Sequence, residues 1–276
     1  ALRVLPRVFG IGPYSAVEAE CPPTADDIVA TGVKSFADRL KGMTYAVRAK
    51  KTMQLGFSTQ SINEKLGAAL NPFGTVNLSN PDITVYVEIG ADNCTLFTDR
   101  RRGAGGLPIG VGGNGIALMS GGFDSPVAAW RIMKRGIALD YVLCNLGGGA
   151  YERMVLQVTK VLNDAWGFGH NSRLHVINFD GPVRDLKAKG RPEYSQVMLK
   201  RLMYRAASII ARETGAEAIV TGEALGQVSS QTLGNLQAIE PAATVPVLRP
   251  LIGFDKQEII DAAGEIGTAA ISKRVK

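Results

Sequence analysis

The stretch Met119-Ser120-Gly121-Gly122-Phe123-Asp124-Ser125-Pro126-Val127-Ala128 constrains the fold more than any other part of the chain. It follows the apolar run Ile116-Ala117-Leu118-Met119, which has the length of a buried strand. It leads into Pro126–Arg135, whose apolar residues recur at helical spacing until Gly136. Ser125 suits the N-cap of that helix and Pro126 its first position, where the missing N–H is not needed. A strand, a two-glycine turn and a helix N-terminus in succession make an anion site. The turn presents backbone N–H groups, and the helix end adds about half a positive charge. Phosphate is the usual guest.

The chain has 276 residues, 46% of them hydrophobic and 20% charged, as in globular proteins of one large or two ordinary domains. No apolar run approaches the roughly 18 residues needed to cross a bilayer, so no membrane partner is expected. Cys21, Cys94 and Cys144 are far apart and form no CxxC pair. This excludes a zinc ribbon or disulfide framework and fits a reducing, cytoplasmic setting. A net charge of +6 permits a nucleic-acid partner without requiring one.

In chain order, residues 1–20 read as a short strand and turn around Val8–Pro13. Cys21-Pro22-Pro23 then breaks the chain. A helix is predicted over Thr24–Leu40, with Thr24 and Asp27 spaced as a capping box. Strand 45–50 follows, then a helix capped by Ser58 or Thr59 that runs to Leu70. Strands are predicted at 83–89 and 94–98. Seven glycines punctuate residues 103–115. The GxGxxG at Gly110–Gly115 precedes a strand instead of following one, which rules out a dinucleotide fingerprint. No GxxxxGK[ST] occurs, which excludes a Walker-type ATPase. From Ile116 onward strands (116–119, 137–144, 174–179, 218–221, 245–248) alternate with helices (126–135, 151–165, 193–214, 227–237, 256–265). That is the pattern of a doubly wound, mostly parallel α/β sheet, whose ligands sit beyond the carboxyl ends of the strands.

Ser120–Ser125 is the SGGxDS loop of the N-type ATP pyrophosphatases. Three further stretches narrow the resemblance: Asn145–Gly148, Val220–Leu233 (VTGEALGQVSSQTL) and Leu248–Lys256 (LRPLIGFDK). Upstream, Asn80–Glu88 followed by Gly105–Gly110 looks like a THUMP domain and its exit. The whole chain therefore resembles the tRNA 4-thiouridine synthetase (tRNA sulfurtransferase) family. The resemblance implies a remnant of an N-terminal ferredoxin-like domain over 1–20, a small α/β THUMP RNA-binding domain over 21–104, and a PP-loop ATP pyrophosphatase domain of the adenine-nucleotide alpha-hydrolase type over 105–276.

It also implies a reaction. ATP adenylates O4 of uridine 8 in tRNA with release of pyrophosphate, and persulfide sulfur then displaces AMP to give 4-thiouridine. Asp124 is the expected catalytic residue, holding Mg²⁺ against the phosphates; as a bland alternative it is a capping carboxylate. The ATP contacts implied by the family are Leu118, Met119, Ser120, Gly121, Gly122, Asp124, Ser125, Lys200, Gly222 and Gln231. Without the family match, Leu118 and Met119 read as core, and Lys200 and Gln231 as surface. Arg48, Lys50, Lys51, Arg100, Arg101 and Arg102 are the expected tRNA phosphate contacts. Residues 1–115 hold twelve Lys and Arg against ten Asp and Glu, so the electrostatic support for that face is modest. Cys144 reads as a small core residue. The family's sulfur-handling cysteine follows the segment matching Glu265–Lys276, which places it past Lys276 and makes a C-terminally truncated chain the expectation. His170 and His175 read as structural. Beyond tRNA, the implied partner is a cysteine desulfurase as persulfide donor. A sulfur-carrier protein of thiazole synthesis and a homodimer stay open. A tRNA- and ATP-binding module without sulfur chemistry is the alternative from another functional class, and a pyrophosphatase acting on a small acid or amide is a weaker third.

Overall fold

The structure is a computed structural model that describes residues 2–52 and 56–274; Val275 and Lys276, the end of the expected sulfur-site segment, lie outside them. The chain divides into two compact units, Pro13–Arg102 and Ala1–Gly12 with Gly103–Lys276.

The smaller unit contains β1 (Pro13–Tyr14), β2 (Ala19–Cys21), α1 (Ala25–Phe36), β3 (Thr44–Lys51), α2 (Thr59–Leu70), β4 (Thr75–Val76), β5 (Ile83–Ile89), β6 (Cys94–Phe97) and β7 (Arg101–Arg102). Five strands form a mixed sheet in the order β2-β6-β5-β3-β4, and β1 pairs with β7. Ile28 and Phe36 of α1 and Ile62, Leu66 and Leu70 of α2 bury against Tyr45, Val47, Val85, Val87 and Leu96 of the sheet. Strand alternation therefore turns Arg48, Lys50 and Tyr86 to the face without helices. Thr24 caps α1 by accepting from the Asp27 N–H at 3.2 Å. The predicted box is only half made, because the Asp27 carboxylate takes the Thr24 hydroxyl at 2.5 Å instead of the Thr24 N–H. α1 ends at Phe36 and a 3₁₀ turn completes the run to Leu40. Ser58, as predicted, caps α2. Cys21 and Cys94, distant in sequence, are register partners across β2 and β6.

The larger unit contains β8 (Asn114–Leu118), α3 (Asp124–Met133), β9 (Ala138–Asn145), α4 (Gly148–Trp166), β10 (Leu174–Asn178), α5 (Asp180–Lys189), α6 (Ser195–Thr214), β11 (Ala218–Val220), α7 (Leu233–Ile239), β12 (Val247–Leu248), α8 (Lys256–Ile266) and α9 (Ala269–Ser272). Its sheet runs β10-β9-β8-β11-β12, and every pairing in it is parallel. The chain winds outward from β8 to β10, then returns to add β11 and β12 on the other side. The switch point lies between β8 and β11, where a ligand crevice is expected. α3, α4 and α8 pack on one face through Val127, Val155, Val158 and Ile259. α6 covers the other through Ala207 and Ala211, which meet Ile116, Val142 and Ile219.

Three expectations are corrected. Of the short strand and turn expected around Val8–Pro13, residues 2–12 supply no strand; pairing begins only at Pro13 in β1. Residues 2–12 make a 3₁₀ turn at Leu5–Arg7 and pack into the larger unit, where Phe9 stacks on Trp166 and meets the edge of Trp130, at 5.6 and 6.0 Å between ring centroids. The helix predicted over 227–237 is a 3₁₀ turn at Ser229–Gln231 followed by α7. α5 was absent from the sequence reading. It carries Gly181-Pro182 in its first turn, stops before Gly190, fully buries no residue and is strongly polar overall, with Val183 as its contact to the core, so few apolar residues mark it. The glycines of the connector pack against the end of α3: the N–H groups of Gly110 and Gly112 both donate to the Gly136 carbonyl, at 2.8 and 2.9 Å. No helix among the described residues is long and apolar enough to cross a membrane.

Candidate functional site

The loop after β8 closes on itself through one hydroxyl. Ser125 Oγ accepts the Ser120 N–H at 2.9 Å, donates to the Ser120 carbonyl at 3.2 Å and lies 3.0 Å from Ser120 Oγ. α3 begins two residues earlier than predicted, with Phe123 at the cap position and no side-chain cap. Ser125 is thus not the N-cap; it is the latch of the turn. With no side chain capping the helix, its first N–H groups, which have no intrahelical partner, remain available to an anion.

Other elements brace this loop. Lys256, the first residue of α8, reaches Asp124 Oδ1 with its Nζ at 2.7 Å. Its place is fixed by a complete capping box in which Asp255 and Glu258 satisfy each other's backbone N–H groups. Ser272 Oγ in α9 donates to the Gly122 carbonyl at 3.2 Å. A Cβ on Gly222 would come within 2.7 Å of both the Asp124 carbonyl carbon and the Ser125 nitrogen. The close approach at Gly222 is therefore that of the loop backbone.

Beside the loop lies a cavity of about 260 Å³, at the carboxyl ends of β8, β9 and β11. Of the residues expected to meet nucleotide, Leu118, Met119, Ser120, Ser125, Lys200 and Gly222 line it. Cys144, Tyr151, Gln196 and Thr221 complete much of the wall. Gly121, Gly122 and Asp124 belong to the adjoining loop. Gln231 is not on the wall. It is buried in the 3₁₀ turn after β11, where its main chain holds Gly226 at 3.1 Å and its side-chain Oε1 has no hydrogen-bond partner.

A buried carboxylate paired with Lys200 of the cavity wall was missed by sequence reasoning. Glu223 is 1% exposed. Its Oε2 accepts from Tyr204 Oη at 2.6 Å, Arg249 Nε at 2.9 Å and Thr221 Oγ1 at 3.1 Å. Arg249 also bonds Tyr204 Oη at 3.1 Å and pairs with Glu240. Glu223 Oε1, by contrast, has no hydrogen bond, and Lys200 Nζ stands 3.4 Å away. Burial by itself would raise the Glu223 pKa. The Lys200 charge and the bonds from Tyr204 and Arg249 outweigh it and hold the carboxyl below the ordinary value. The available signal was a charged residue just past the end of each of two buried strands, Glu223 after β11 and Arg249 after β12.

Cys144 is 6% exposed, and burial pushes its thiol up to about 12 despite the pull of Lys200. It is a core residue, not a thiolate. His170 and His175 flank Asp140 at 3.7 and 3.8 Å; Asp140 lies toward the start of β9, away from the cavity.

In the smaller unit Arg48, Tyr86 and Phe97 are register partners across β3, β5 and β6. Tyr86 stacks on Phe97 at 5.4 Å, and the Arg100 guanidinium lies 5.7 Å from the Tyr86 ring. Arg100 thus lies against an aromatic not singled out from the sequence, while the Arg48 guanidinium donates to the Leu78 carbonyl at 3.0 Å. Lys50 sits opposite Glu88. Lys51 falls on the other face and donates to the Phe57 carbonyl at 3.1 Å. Arg101 is engaged by Asp99 at 2.5 Å, and Arg102 extends exposed beside it on β7. The six expected contacts therefore do not form one patch.

Residues 110–276 match the family described as Thiamine biosynthesis protein (ThiI), and residues 23–99 match the THUMP domain. A tRNA sulfurtransferase of Desulfurococcus amylolyticus is 40% identical over 282 residues, covering 100% of this chain and 58% of the relative. One from Citrobacter koseri is 42% identical over 269 residues, covering 96% and 55%. The chain thus spans a little over half the length of these curated relatives. A 4-thiouridine synthetase solved in complex with RNA and bound ATP superposes with a TM-score of 0.87 at 38% identity, covering 98% of this chain and 72% of that one. With its parallel sheet, its latched SGGFDS turn and a family match over more than half its length, the chain belongs to the ThiI family.

Proposed function

We propose that this chain carries the uridine-activating part of an ATP-dependent tRNA sulfurtransferase, which adenylates uridine 8 and releases pyrophosphate before persulfide sulfur yields 4-thiouridine. The observation that carries the reading is the self-latched Ser120–Ser125 turn at the head of α3, opening on a cavity that contains Lys200. A carbonyl oxygen leaves poorly, and a phosphate ester leaves well. Attack of uridine O4 on the α-phosphorus of ATP makes that exchange, provided that the departing pyrophosphate is held.

The turn and the free N–H groups of α3 suit that task, with Lys200 facing the same space. Lys256 lies beside Asp124 as a second cation. Among the described residues no group of three or more His, Cys, Asp or Glu could hold a metal. Mg²⁺ commonly binds through one or two carboxylates together with substrate phosphates and waters, so the single carboxylate of Asp124 fits an ion delivered with the nucleotide. Its chemistry there is to neutralise phosphate charge. The protein's part is to set Asp124 at the mouth of the turn and to keep Lys256 on its other oxygen.

For sulfur transfer the cavity offers only Cys144, whose thiol is held neutral. The family resemblance assigns sulfur transfer to a different cysteine, loaded with persulfide by a cysteine desulfurase. A cytoplasmic setting, a homodimer and sulfur delivery toward thiazole synthesis belong to the same proposal. The adenylation step is testable on the 276-residue chain by measuring pyrophosphate release from ATP with and without unmodified tRNA. Release should require tRNA, and Asp124→Ala should lower it by about 100-fold or more. Equal release without tRNA, or full release by Asp124→Ala, refutes the reading.

A further inference from the structure

The expected RNA contacts all lie in the smaller unit, yet the larger unit carries its own cationic surface at the cavity rim. Asn178, the last residue of β10, is in register with Asn145 at the carboxyl edge of the sheet. α5 starts two residues later, and α6 begins where Gln196, Leu199 and Lys200 line the cavity. Residues 180–205 hold seven Lys and Arg against three Asp and Glu, a net +4, when the whole chain of 276 residues carries +6. Arg184, Lys187, Lys189 and Arg191 are all exposed. Among the described residues only Lys189 of these four makes an ion pair, a long one of 3.9 Å with Asp185.

Two further features distinguish this stretch from an ordinary solvated face. α5 fully buries none of its ten residues and anchors to the core through Val183, which leaves its cations unexplained by core packing. Large apolar and aromatic groups are exposed among the cations: Tyr194 is 58% exposed and Met198 43%. A groove of about 600 Å³ lies between α5 and α6, floored by Pro182, Leu186, Met198 and Leu202, with Lys189 at its edge. Cations interleaved with an open aromatic and an apolar groove match the chemistry of single-stranded nucleic acid, where phosphates and base faces alternate. The ten residues of α5 extend about 15 Å, and the cations reach past them to Arg191, more than one nucleotide in the cavity can engage.

We propose that α5 and the start of α6 form a second RNA-contact surface, which grips the phosphates flanking the target nucleotide and stacks an unpaired base on Tyr194. The inference rests on the tRNA-directed reading above. Its test uses the full 276-residue chain in two forms, Arg184→Gln/Lys187→Gln/Lys189→Gln/Arg191→Gln and Tyr194→Ala. A control, Lys160→Gln/Arg212→Gln, removes cations from α4 and the far end of α6. Unmodified tRNA binding is followed by fluorescence anisotropy across a salt series, and ATP binding by calorimetry. In the quadruple variant ATP affinity should hold, tRNA affinity should fall at least tenfold, and the slope of log affinity against log salt should shrink by about two to three. Tyr194→Ala should weaken tRNA binding by about fivefold to a hundredfold with the slope intact. Wild-type affinity and slope in both variants, or an equal loss of slope in the control, overturns this surface and leaves the adenylation reading standing. No tRNA binding by the wild-type chain overturns both.

Discussion

Glu223 sets a full negative charge beneath the cavity, in a place where burial makes charge expensive. One oxygen is saturated by Tyr204, Thr221 and Arg249; the other is left to the Lys200 ammonium. The arrangement leaves Lys200 electrostatically tethered but not hydrogen-bonded, free to turn to a phosphate in the cavity. Removing one member of a buried charge cluster costs about 3–5 kcal/mol, so Glu223→Gln should be destabilised by that order at neutral pH and should bind ATP more weakly. The pH dependence has a definite sign. A carboxyl held below its ordinary value of 4.5 in the folded state stabilises the fold above that pH and loses the contribution as pH falls through the folded value. Urea unfolding from pH 7 to pH 3 should show the stability gap between wild type and Glu223→Gln closing below about pH 4.5. A gap that stays constant excludes the ionised carboxylate as its source. At this scale the sequence disclosed the reactive loop but not its supports. Ser125 was legible as a loop residue; its role as a latch depends on the turn bringing residues 120 and 125 together.

At the scale of elements, the site is a turn pressed between neighbours. β11 ends so close to the loop that Gly222 has no room for a methyl group, and both atoms it would strike are backbone. Gly222→Ala should therefore push the first turn of α3, with the loop it ends, away from β11, with ATP affinity falling at least about tenfold while the fold remains intact. Calorimetric titration with ATP beside circular dichroism distinguishes the two; unchanged affinity would show that the loop tolerates displacement. The strand–helix alternation of the larger unit, including β8, β9, α6 and α8, was legible from apolar periodicity because each of these elements buries a face. α5 was not, since it is strongly polar, opens with Gly181-Pro182 and holds to the core mainly through Val183, too few apolar positions to stand out. The start of α7 was displaced for a related reason: Val228 is exposed, so the apolar residues after Gln227 do not mark a helical face.

Over the whole chain, each unit matches one half of the chemistry. Pro13–Arg102 offers a sheet face without helices on which Arg100 lies against Tyr86, with Arg48 in register beside Tyr86 and bonded to the Leu78 carbonyl. The unit built on the parallel sheet holds the cavity beside the Ser120–Ser125 loop at its switch point. The division into a THUMP-like unit and a parallel-sheet unit was readable from motifs. The placement of residues 2–12 was not, because Phe9 finds its partners Trp130 and Trp166 more than a hundred residues away. The central claim is that the latched turn activates one uridine of a tRNA by adenylation. The most direct measurement compares pyrophosphate release from ATP on two tRNAs that differ only at position 8, uridine in one and cytidine in the other. Release with the uridine tRNA alone is the expected result. Equal release with both would contradict the claim.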